Sequence, residues 1–310
     1  SDNWIGQVRI FNWDGNKWTQ KGESIDGEYT GTLPKFNWGF AVSLSSDGDT
    51  VSMGSHQGSK GVKVYDWLNS TWTQRGSKIH TSENIDSTRD TNYAEGYSIS
   101  LSSDGNTIAI GDPKIDGDFD NYEGTSSPSS TINIECRRLK NSAIVFTMEP
   151  CKDSGHVEVY DWKEDAWIPR ESEILGVAHQ GANRAFFSGS FPSPGQNLGH
   201  SVSLSSDAKT IAVGAPFYLL SGVELDGVYY ELCGASSLTV SNINIGHRCG
   251  RVLVYDWDDD FELDNLSRLS KWVLRSPLNR LYEEFGGIFG GGDSVKISED
   301  GNSVAFLSIA

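Results

Sequence analysis

Apolar and polar residues alternate along most of the chain in short runs, and one phrase with this pattern recurs. It consists of an alternating run, a Ser-Asp-Gly turn and a second apolar run, and its copies begin at Trp38, Glu95, Leu198 and Gly291. Alternation around such a turn predicts a β-hairpin. The third copy has Ala208 where the others have the turn glycine. We expect a left-handed alanine there, strained by roughly 1 kcal/mol.

A second hairpin phrase alternates with the first and carries Val-Tyr-Asp-Trp or a looser version of it. Each copy ends its leading strand at one tryptophan: Trp13, Trp67, Trp162 and Trp257. Aromatic rings of this size suit the space between packed sheets, so we interpret these tryptophans as packing residues, with sugar stacking as the alternative. In three copies an aspartate precedes the tryptophan: Asp66, Asp161 and Asp256. We expect these carboxylates to bind turn amides, a role that Asn12 can fill in the first copy.

Two hairpins per unit give four strands, and repeated four-stranded units predict an all-β, four-bladed β-propeller formed by residues 1–310 as a single domain. The chain begins and ends within a unit. Its N-terminal part supplies the third and fourth strands, 7–13 and 17–22, and its C-terminal part supplies the first and second, 294–298 and 303–309. We expect these hairpins to complete the fourth blade within one chain, because unpaired strand edges are avoided. Completion between chains, which gives a polymer, is the alternative.

The net charge of −17 disfavours binding to nucleic acid, because a phosphate backbone requires a basic surface. No apolar run reaches the length of a membrane span. Without an initiator Met or a signal peptide, the chain is expected to be a processed product or a fragment.

Four cysteines form two local couples, Cys136 with Cys151 and Cys233 with Cys249. Each couple lies in a long insertion between the two hairpins of a unit, 113–154 or 217–249. We interpret the couples as disulfides of a secreted protein, with four unpaired thiols as the alternative.

Two Asn-x-Ser/Thr sequons begin at Asn69 and Asn265, both in the turn after Val-Tyr-Asp-Trp. A turn between outer strands is exposed, so we expect both asparagines to be glycosylated in a secreted eukaryotic protein.

The first phrase resembles the FG-GAP repeat of integrin α-subunit propellers and related extracellular proteins. The most similar copy contains Gly199, Ser201 and Val202, followed by Ile-Ala-Val-Gly-Ala-Pro at 211–216. The resemblance implies a surface or matrix protein that functions by binding. The chain departs from that family in two features. Integrin propellers have seven blades, whereas four are predicted here. Some integrin repeats carry a calcium loop in the first hairpin, whereas the turn here is a short Ser-Ser-Asp-Gly. The resemblance therefore implies no calcium at these turns.

Calcium has a separate candidate site in the first insertion. Asp116, Asp118 and Asp120 alternate in a glycine-containing loop, and alternating carboxylates suit Ca²⁺. A solvated acidic loop is the alternative.

These observations favour a non-enzymatic protein at the cell surface or outside the cell, with a structural or adhesive role. We expect the insertions to contact another copy of the chain in a filament, through apolar residues that a solvated hairpin would expose: Ile144, Val145, Phe146, Tyr229 and Tyr230. Other extracellular proteins or glycans are the alternative partners. The runner-up function is a lectin that uses Trp4, Trp38 or the two tyrosines. A hydrolase acting on glycosides at the propeller axis is the third hypothesis, although no catalytic motif supports it.

Overall fold

The computed structural model describes residues 5–28, 38–55, 61–80, 96–114, 155–170, 172–175, 197–216, 222–225, 228–231, 251–259, 271–275 and 292–307. Every helix or strand within these ranges is a β-strand. The search of these ranges for a helix long and apolar enough to cross a membrane finds none.

The strands form an N-terminal group, three successive sheets and a C-terminal hairpin. The N-terminal strands are β1 (Gln7–Val8), β2 (Phe11–Trp13), β3 (Trp18–Gln20) and β4 (Ile25–Asp26). Sheet 1 contains β5 (Trp38–Leu44), β6 (Thr50–Ser55), β7 (Val62–Leu68) and β8 (Thr71–Gln74). Sheet 2 contains β9 (Ser98–Leu101), β10 (Thr107–Asp112), β11 (His156–Lys163), β12 (Ala166–Pro169) and β13 (Ile174–Leu175). Sheet 3 contains β14 (Ser201–Leu204), β15 (Thr210–Ala215), β18 (Arg251–Trp257) and β19 (Trp272–Leu274), in that order. Two further strands, β16 (Gly222–Leu225) and β17 (Val228–Glu231), form a separate pair in the insertion between β15 and β18. The C-terminal hairpin is β20 (Ser294–Ile297) with β21 (Val304–Leu307).

Each sheet is an antiparallel meander of four strands, with β13 as an additional strand on sheet 2. Consecutive sheets pack side by side through their first strands, β5 against β9, β9 against β14, and β14 against β20. The predicted all-β fold with repeated four-stranded sheets is therefore confirmed, and the arrangement is propeller-like.

The Ser-Asp-Gly turns close in the same way in each first hairpin. In sheet 3, Asp207 accepts hydrogen bonds from the Ser205 hydroxyl at 2.7 Å and the Lys209 amide at 3.0 Å. The Ser205 hydroxyl oxygen also accepts the Thr210 amide at 3.0 Å. Ala208 has the left-handed backbone predicted for it, with φ of 56°. The same serine–aspartate bond recurs at Ser45–Asp47, Ser102–Asp104 and Ser298–Asp300.

These hydrogen bonds lower the pKa of the turn carboxylates. The Lys209 amide and then the Ser205 hydroxyl lower the pKa of Asp207, and the Ser45 hydroxyl is the largest cause of the lowered pKa of Asp47. A carboxylate with a lowered folded pKa stabilises the fold above its unfolded value, and this contribution is lost as the pH falls through the folded pKa.

Acid should therefore destabilise the fold less in Asp207→Asn than in the wild type. The free energy of unfolding from urea titrations should fall less steeply below about pH 4 in this variant, because it lacks one of the linked carboxylates. Ser70→Asn, at an exposed turn position that also has positive φ, changes no titratable group and is the control that should retain the wild-type slope. An unchanged slope in Asp207→Asn would show that the turn carboxylate does not contribute to acid sensitivity.

The core lies between neighbouring sheets. Val157 and Val159 of β11 belong to one cluster with Val202 and Leu204 of β14, and all four side chains are buried. Val62 and Val64 of β7 belong to an equivalent cluster that includes Ile99 and Leu101 of β9. The third strands of sheets 1 and 2, β7 and β11, thus pack against the first strand of the following sheet.

A cation at the end of each fourth strand joins one sheet to the next. Arg170, after β12, donates to the Ala208 carbonyl of sheet 3 at 2.9 Å and lies over the Trp257 ring at 4.9 Å. It also pairs with Asp161 of its own sheet at 3.0 Å. The equivalent cations donate to the equivalent turn carbonyls of the next unit: Lys21 to Gly48, Arg75 to Gly105 and Arg275 to Gly301.

The expectation that Asp66, Asp161 and Asp256 bind turn amides is wrong. Each carboxylate instead accepts a hydroxyl from the threonine opposite it on the second strand, Thr50, Thr107 or Thr210, at 2.8–2.9 Å. Each also binds the arginine that ends its own sheet. The arginine outcompetes an amide here because it supplies a full opposite charge.

Closure of a fourth sheet within the chain is not observed in the described ranges. Strands β2 and β3 form one two-stranded sheet, and β20 and β21 form another, with no pairing between them. The ring of Trp13 is 53% exposed, so it does not fill a space between sheets as predicted, although the half-buried Trp67, Trp162 and Trp257 do.

Several predicted residues lie outside the described residues. These are the four cysteines, Asp116, Asp118, Asp120, Ile144, Val145, Phe146, Asn265 and Trp4. For Tyr229 and Tyr230 the structure describes the backbone, which pairs with Glu224 and Val223 in the β16–β17 hairpin.

Candidate functional site

The antiparallel order of each sheet sorts the connections onto two faces. The Ser-Asp-Gly turns and the turns at 69–70 and 164–165 join strand ends on one face, which we call the turn face. The strand ends that flank 56–61, 113–155 and 216–250 lie on the other, which we call the loop face. The connections from one sheet to the next also begin and end there. The long segment 258–271 is the exception, since it joins β18 to β19 on the turn face.

Four equivalent residues stand where the first strands begin on the loop face. Each directly follows a glycine with positive φ: Phe40 after Gly39 (82°), Tyr97 after Gly96 (75°), His200 after Gly199 (84°) and Asp293 after Gly292 (102°). Each first strand lies at one edge of its sheet, and consecutive first strands pack together, so we call this edge the inner edge. The four residues form a row along it. We call this row the inner-edge row.

Hydroxyl-to-carbonyl hydrogen bonds between sheets fix the backbone beside the row. Ser98 donates to the Gly199 carbonyl at 2.7 Å, and Ser201 donates to the Gly292 carbonyl at 2.9 Å. The residues after Gly199 and Gly292 are thereby held in place by side chains of the preceding sheet. The row is positioned by the frame, which favours a preorganised site.

The side chains of the row contact one another in order. The rings of Phe40 and Tyr97 have centroids 5.1 Å apart, and those of Tyr97 and His200 are 4.8 Å apart. The Tyr97 hydroxyl is 3.0 Å from His200 Nε2, and His200 Nδ1 is 3.3 Å from the Asp293 carbonyl oxygen. A carbonyl oxygen only accepts, so Nδ1 carries the proton and Nε2 accepts the tyrosine hydroxyl.

The surroundings of the row keep both titratable rings neutral. Burial lowers the pKa of His200, and the Asp293 carboxylate opposes this by attracting the protonated ring. Burial also raises the pKa of Tyr97, and the Asp293 charge raises it further. In its neutral form each of these side chains can both donate and accept a hydrogen bond. The row is suited to hydrogen bonding and ring stacking.

Asp293→Asn should lower the pKa of both rings. Without the carboxylate, the protonated form of His200 loses an attraction and the ionised form of Tyr97 loses a repulsion. Titration of the ring signals by NMR measures both values, and Asp300→Asn on the turn face of the same hairpin is the control. If neither value moves in Asp293→Asn, the Asp293 carboxylate does not act on the row.

Sequence reasoning did not find this row, although the signal was present. The four copies of the first phrase align as Gly-Phe-Ala, Gly-Tyr-Ser, Gly-His-Ser and Gly-Asp-Ser at 39–41, 96–98, 199–201 and 292–294. The residue after the glycine changes from copy to copy, whereas the strand after it is regular. A position that varies within an otherwise regular repeat is a candidate for a functional site, because the fold of the repeat does not determine its side chain.

The other predicted site residues in the described ranges have mixed outcomes. Asn69 lies in an exposed turn with φ of 50°, and the hydroxyl of Thr71 in its sequon donates to the Leu68 carbonyl. Trp38 is only 3% exposed, packs with Val8 and Met53, and carries Lys63 over its ring at 4.9 Å. It is therefore unavailable for sugar stacking, and this part of the lectin hypothesis is wrong. A search for three or more clustered His, Cys, Asp or Glu side chains that could hold a metal finds none in the described ranges.

No protein-family model matches the sequence, and no curated protein sequence matches it. Among solved structures, the chain is similar to Kuenenia stuttgartiensis hydrazine synthase at 14% identity with a TM-score of 0.40, covering 100% of this chain and 67% of that chain. It is also similar to the Dos1 propeller at 9% identity with a TM-score of 0.35, covering 98% of this chain and 61% of that one. Likenesses at these TM-scores carry no conclusion, so the propeller-like description rests on the sheet geometry.

Proposed function

We propose that the protein is an extracellular propeller-type binding module with a structural or adhesive role, and that it binds its partner on the loop face. The observation that carries this proposal is the division between the two faces. Apart from the segment 258–271, the strands are joined on the turn face by tight turns, while the strand ends that flank both cysteine-containing insertions and the inner-edge row share the loop face. Long connections on a rigid frame are where binding residues concentrate.

The inner-edge row carries groups that suit binding. Its tyrosine and histidine are both held in their neutral forms by burial. Phe40 at the end of the row is 48% exposed, so an apolar ring faces solvent beside hydrogen-bonding groups. Aromatic rings with a polar neighbour are favoured at protein interfaces.

The extracellular location rests on the sequence together with one structural feature. The cysteine couples favour an oxidising compartment. The asparagine of the first sequon, Asn69, is exposed in a hairpin turn. The FG-GAP resemblance points in the same direction, and the proposed partners are extracellular proteins.

A glycan is the second candidate partner. Phe40 and Tyr97 form an adjacent ring pair, and the Asp293 charge acts on Tyr97. Rings with a nearby acceptor suit the stacking of a sugar. In this version of the proposal the chain is a lectin that uses Phe40 in place of Trp38.

Two binding screens test the proposal with the 310-residue chain. Biotin-labelled chain is applied to a panel of extracellular proteins and to a glycan array, beside Phe40→Ala and a turn-face control, Leu68→Ala, which is also exposed. We expect a protein ligand whose affinity falls at least about tenfold in Phe40→Ala and is unchanged in Leu68→Ala. A ligand found only on the glycan array supports the lectin alternative. Ligands equally sensitive to Leu68→Ala, or no ligand on either panel, would contradict the proposal.

A further inference from the structure

The N-terminal strands, the three sheets and the C-terminal hairpin follow one another in an array, and we call the contact between two neighbours a junction. At both ends of this array, side chains are exposed at positions that are buried in the junctions between sheets. In β5, Val42 and Leu44 are 55% and 50% exposed. Their equivalents in β9, Ile99 and Leu101, are 8% and 7% exposed, because the preceding sheet covers them. The same positions are also buried in β14 and β20: Val202, Leu204, Val295 and Ile297. The N-terminal strands cover Trp38 of β5, but Val42 and Leu44 lack the cover that their equivalents have at the other junctions.

The C-terminal hairpin presents the covering half. Ala109 and Ala212, in the second strands of sheets 2 and 3, are both fully buried against neighbouring strands. The equivalent residue of β21, Ala305, is exposed, and Leu307 beside it is 54% exposed. Ala109 and Ala212 pack with the first strand that follows their sheet. The exposed face of β21 is therefore of the kind that covers a first strand, and Val42 and Leu44 of β5 lack such a cover.

The tryptophan pairs show the same mismatch. At three junctions a cation from the preceding unit lies over the pair: Lys21 over Trp67 and Trp72, Arg75 over Trp162, and Arg170 over Trp257 and Trp272. The fourth pair, Trp13 and Trp18, has ring centroids 5.5 Å apart, and Trp18 is 66% exposed. The fourth cation, Arg275, already bonds to the Gly301 carbonyl, as its equivalents bond to theirs. It has no tryptophan pair beneath it among the described residues.

A backbone ladder across the turns is also incomplete. The amide of Ser46 donates to the carbonyl of Ser103, Ser103 donates to Ser206, and Ser206 donates to Glu299, at 2.9, 3.1 and 2.8 Å. The next equivalent bond would join the Glu299 amide to a Ser46 carbonyl, and the described ranges do not contain it.

We propose that a second copy of this chain supplies the missing half. The C-terminal hairpin and Arg275 of one copy dock on β5 and the N-terminal hairpin of the next, which repeats the junction already formed between sheets. A second copy is favoured because both exposed halves occur in the same folded chain, in separate sheets that do not pair. Each copy carries one half of each kind, so the contact is head-to-tail and gives a ring or a filament.

This contact should be weaker than the junctions within the chain. At those junctions a serine hydroxyl accepts the amide of the next first strand, as Ser100 does from Leu204 at 3.0 Å. At the new junction the serine position is occupied by Lys296, which has no acceptor. We therefore expect reversible association. The contact uses the ends of the array, so it stands or falls separately from partner binding on the loop face.

Cross-linking between isotopically distinct copies tests the proposal. Light and heavy chains carrying photoreactive benzoylphenylalanine at position 18 are mixed and irradiated. The expected product is a dimer in which the label of one copy joins residues 271–275 or 292–307 of the other. Sedimentation velocity should show association that increases with concentration and weakens at least about tenfold in Val42→Lys/Leu44→Lys. Both replaced residues are exposed, so the fold should be retained, and Leu68→Lys at another exposed position is the control.

Each other outcome overturns the proposal. Cross-links within single copies would show that the hairpins complete the fourth blade in cis. A chain that stays monomeric without these cross-links would show that no second copy docks. Association that is equally strong in Val42→Lys/Leu44→Lys would place the contact elsewhere, for example on the insertions.

Discussion

Gly111→Ala should destabilise the fold by about 3 kcal/mol, because two backbones meet where the new methyl group would lie. A Cβ on Gly111 would be 2.1 Å from the Gly199 carbonyl oxygen and 2.4 Å from Ser98 Oγ. Neither neighbour can yield easily, since Ser98 donates a hydrogen bond to that same carbonyl. The glycine sits inside β10 in sheet 2, so the collision is with sheet 3. Relief would require the two sheets to separate.

Urea denaturation of Gly111→Ala measures this loss, with Gly48→Ala as the matched control. A Cβ on Gly48 meets nothing within 4 Å, but its φ is 70°, so alanine there carries only backbone strain of roughly 1 kcal/mol. A loss in Gly111→Ala no larger than that in Gly48→Ala would show that the sheets are not in contact at this point.

Arg170→Met should also destabilise the fold by about 3 kcal/mol, because it leaves a largely buried carboxylate without its cation. The side chains of Arg170 and Asp161 are 11% and 16% exposed, and their closest atoms are 3.0 Å apart. The substitution also removes the hydrogen bond to the Ala208 carbonyl and the contact with Trp257. These last two interactions join sheets 2 and 3, so loosening should begin at that junction.

Thermal and urea unfolding check this prediction, and Arg170→Lys provides a graded comparison. The N-terminal hairpin uses Lys21 in the equivalent place, where its ammonium group donates to the Gly48 carbonyl and lies 5.5 Å from the centre of the Trp67 ring. We therefore expect Arg170→Lys to lose less stability than Arg170→Met. The exposed pair of Lys209 and Asp259 is the control, and Lys209→Met should leave the melting temperature nearly unchanged. Equal effects of Arg170→Met and Lys209→Met would contradict a structural role for the arginine.

The hairpins could be predicted because their determinants are local. The turn after Ser205 is fixed by residues within five positions of it, and alternation decides which side chains face the neighbouring sheet. The left-handed backbone of Ala208 followed from its alignment with turn glycines in the other copies. Where the repeat was regular, local chemistry and the packing between sheets agreed.

The junctions between sheets could not be predicted in detail, because they depend on residues far apart in the chain. The pairing of Asp161 with Arg170 is a different case, because the two residues are nine positions apart in one hairpin and the spacing recurs at Asp66 and Arg75. This local signal was available in the sequence. Arg170 and Ala208, in contrast, are joined only after two sheets have packed. The same reason applies to Trp38, whose burial depends on the N-terminal strands and Met53.

The positions of the candidate site could be predicted from the sequence, but the contacts among its residues could not. Aligning the repeats places Tyr97, His200 and Asp293 at one position, whereas their contact requires consecutive first strands to pack at the inner edge. The N-terminal and C-terminal hairpins show the opposite case. Their sequences complement each other as halves of a unit, yet the folded chain leaves them in separate sheets.

The most direct test of the extracellular binding-module proposal is a non-reducing peptide map of the protein purified from its native source. We predict two disulfide-linked peptide pairs, Cys136 with Cys151 and Cys233 with Cys249, and a glycan on Asn69. Such a map would show that both insertions flanked by loop-face strand ends are pinned and that the protein matured outside the cytosol. Four alkylated thiols together with an unmodified Asn69 would contradict the extracellular proposal.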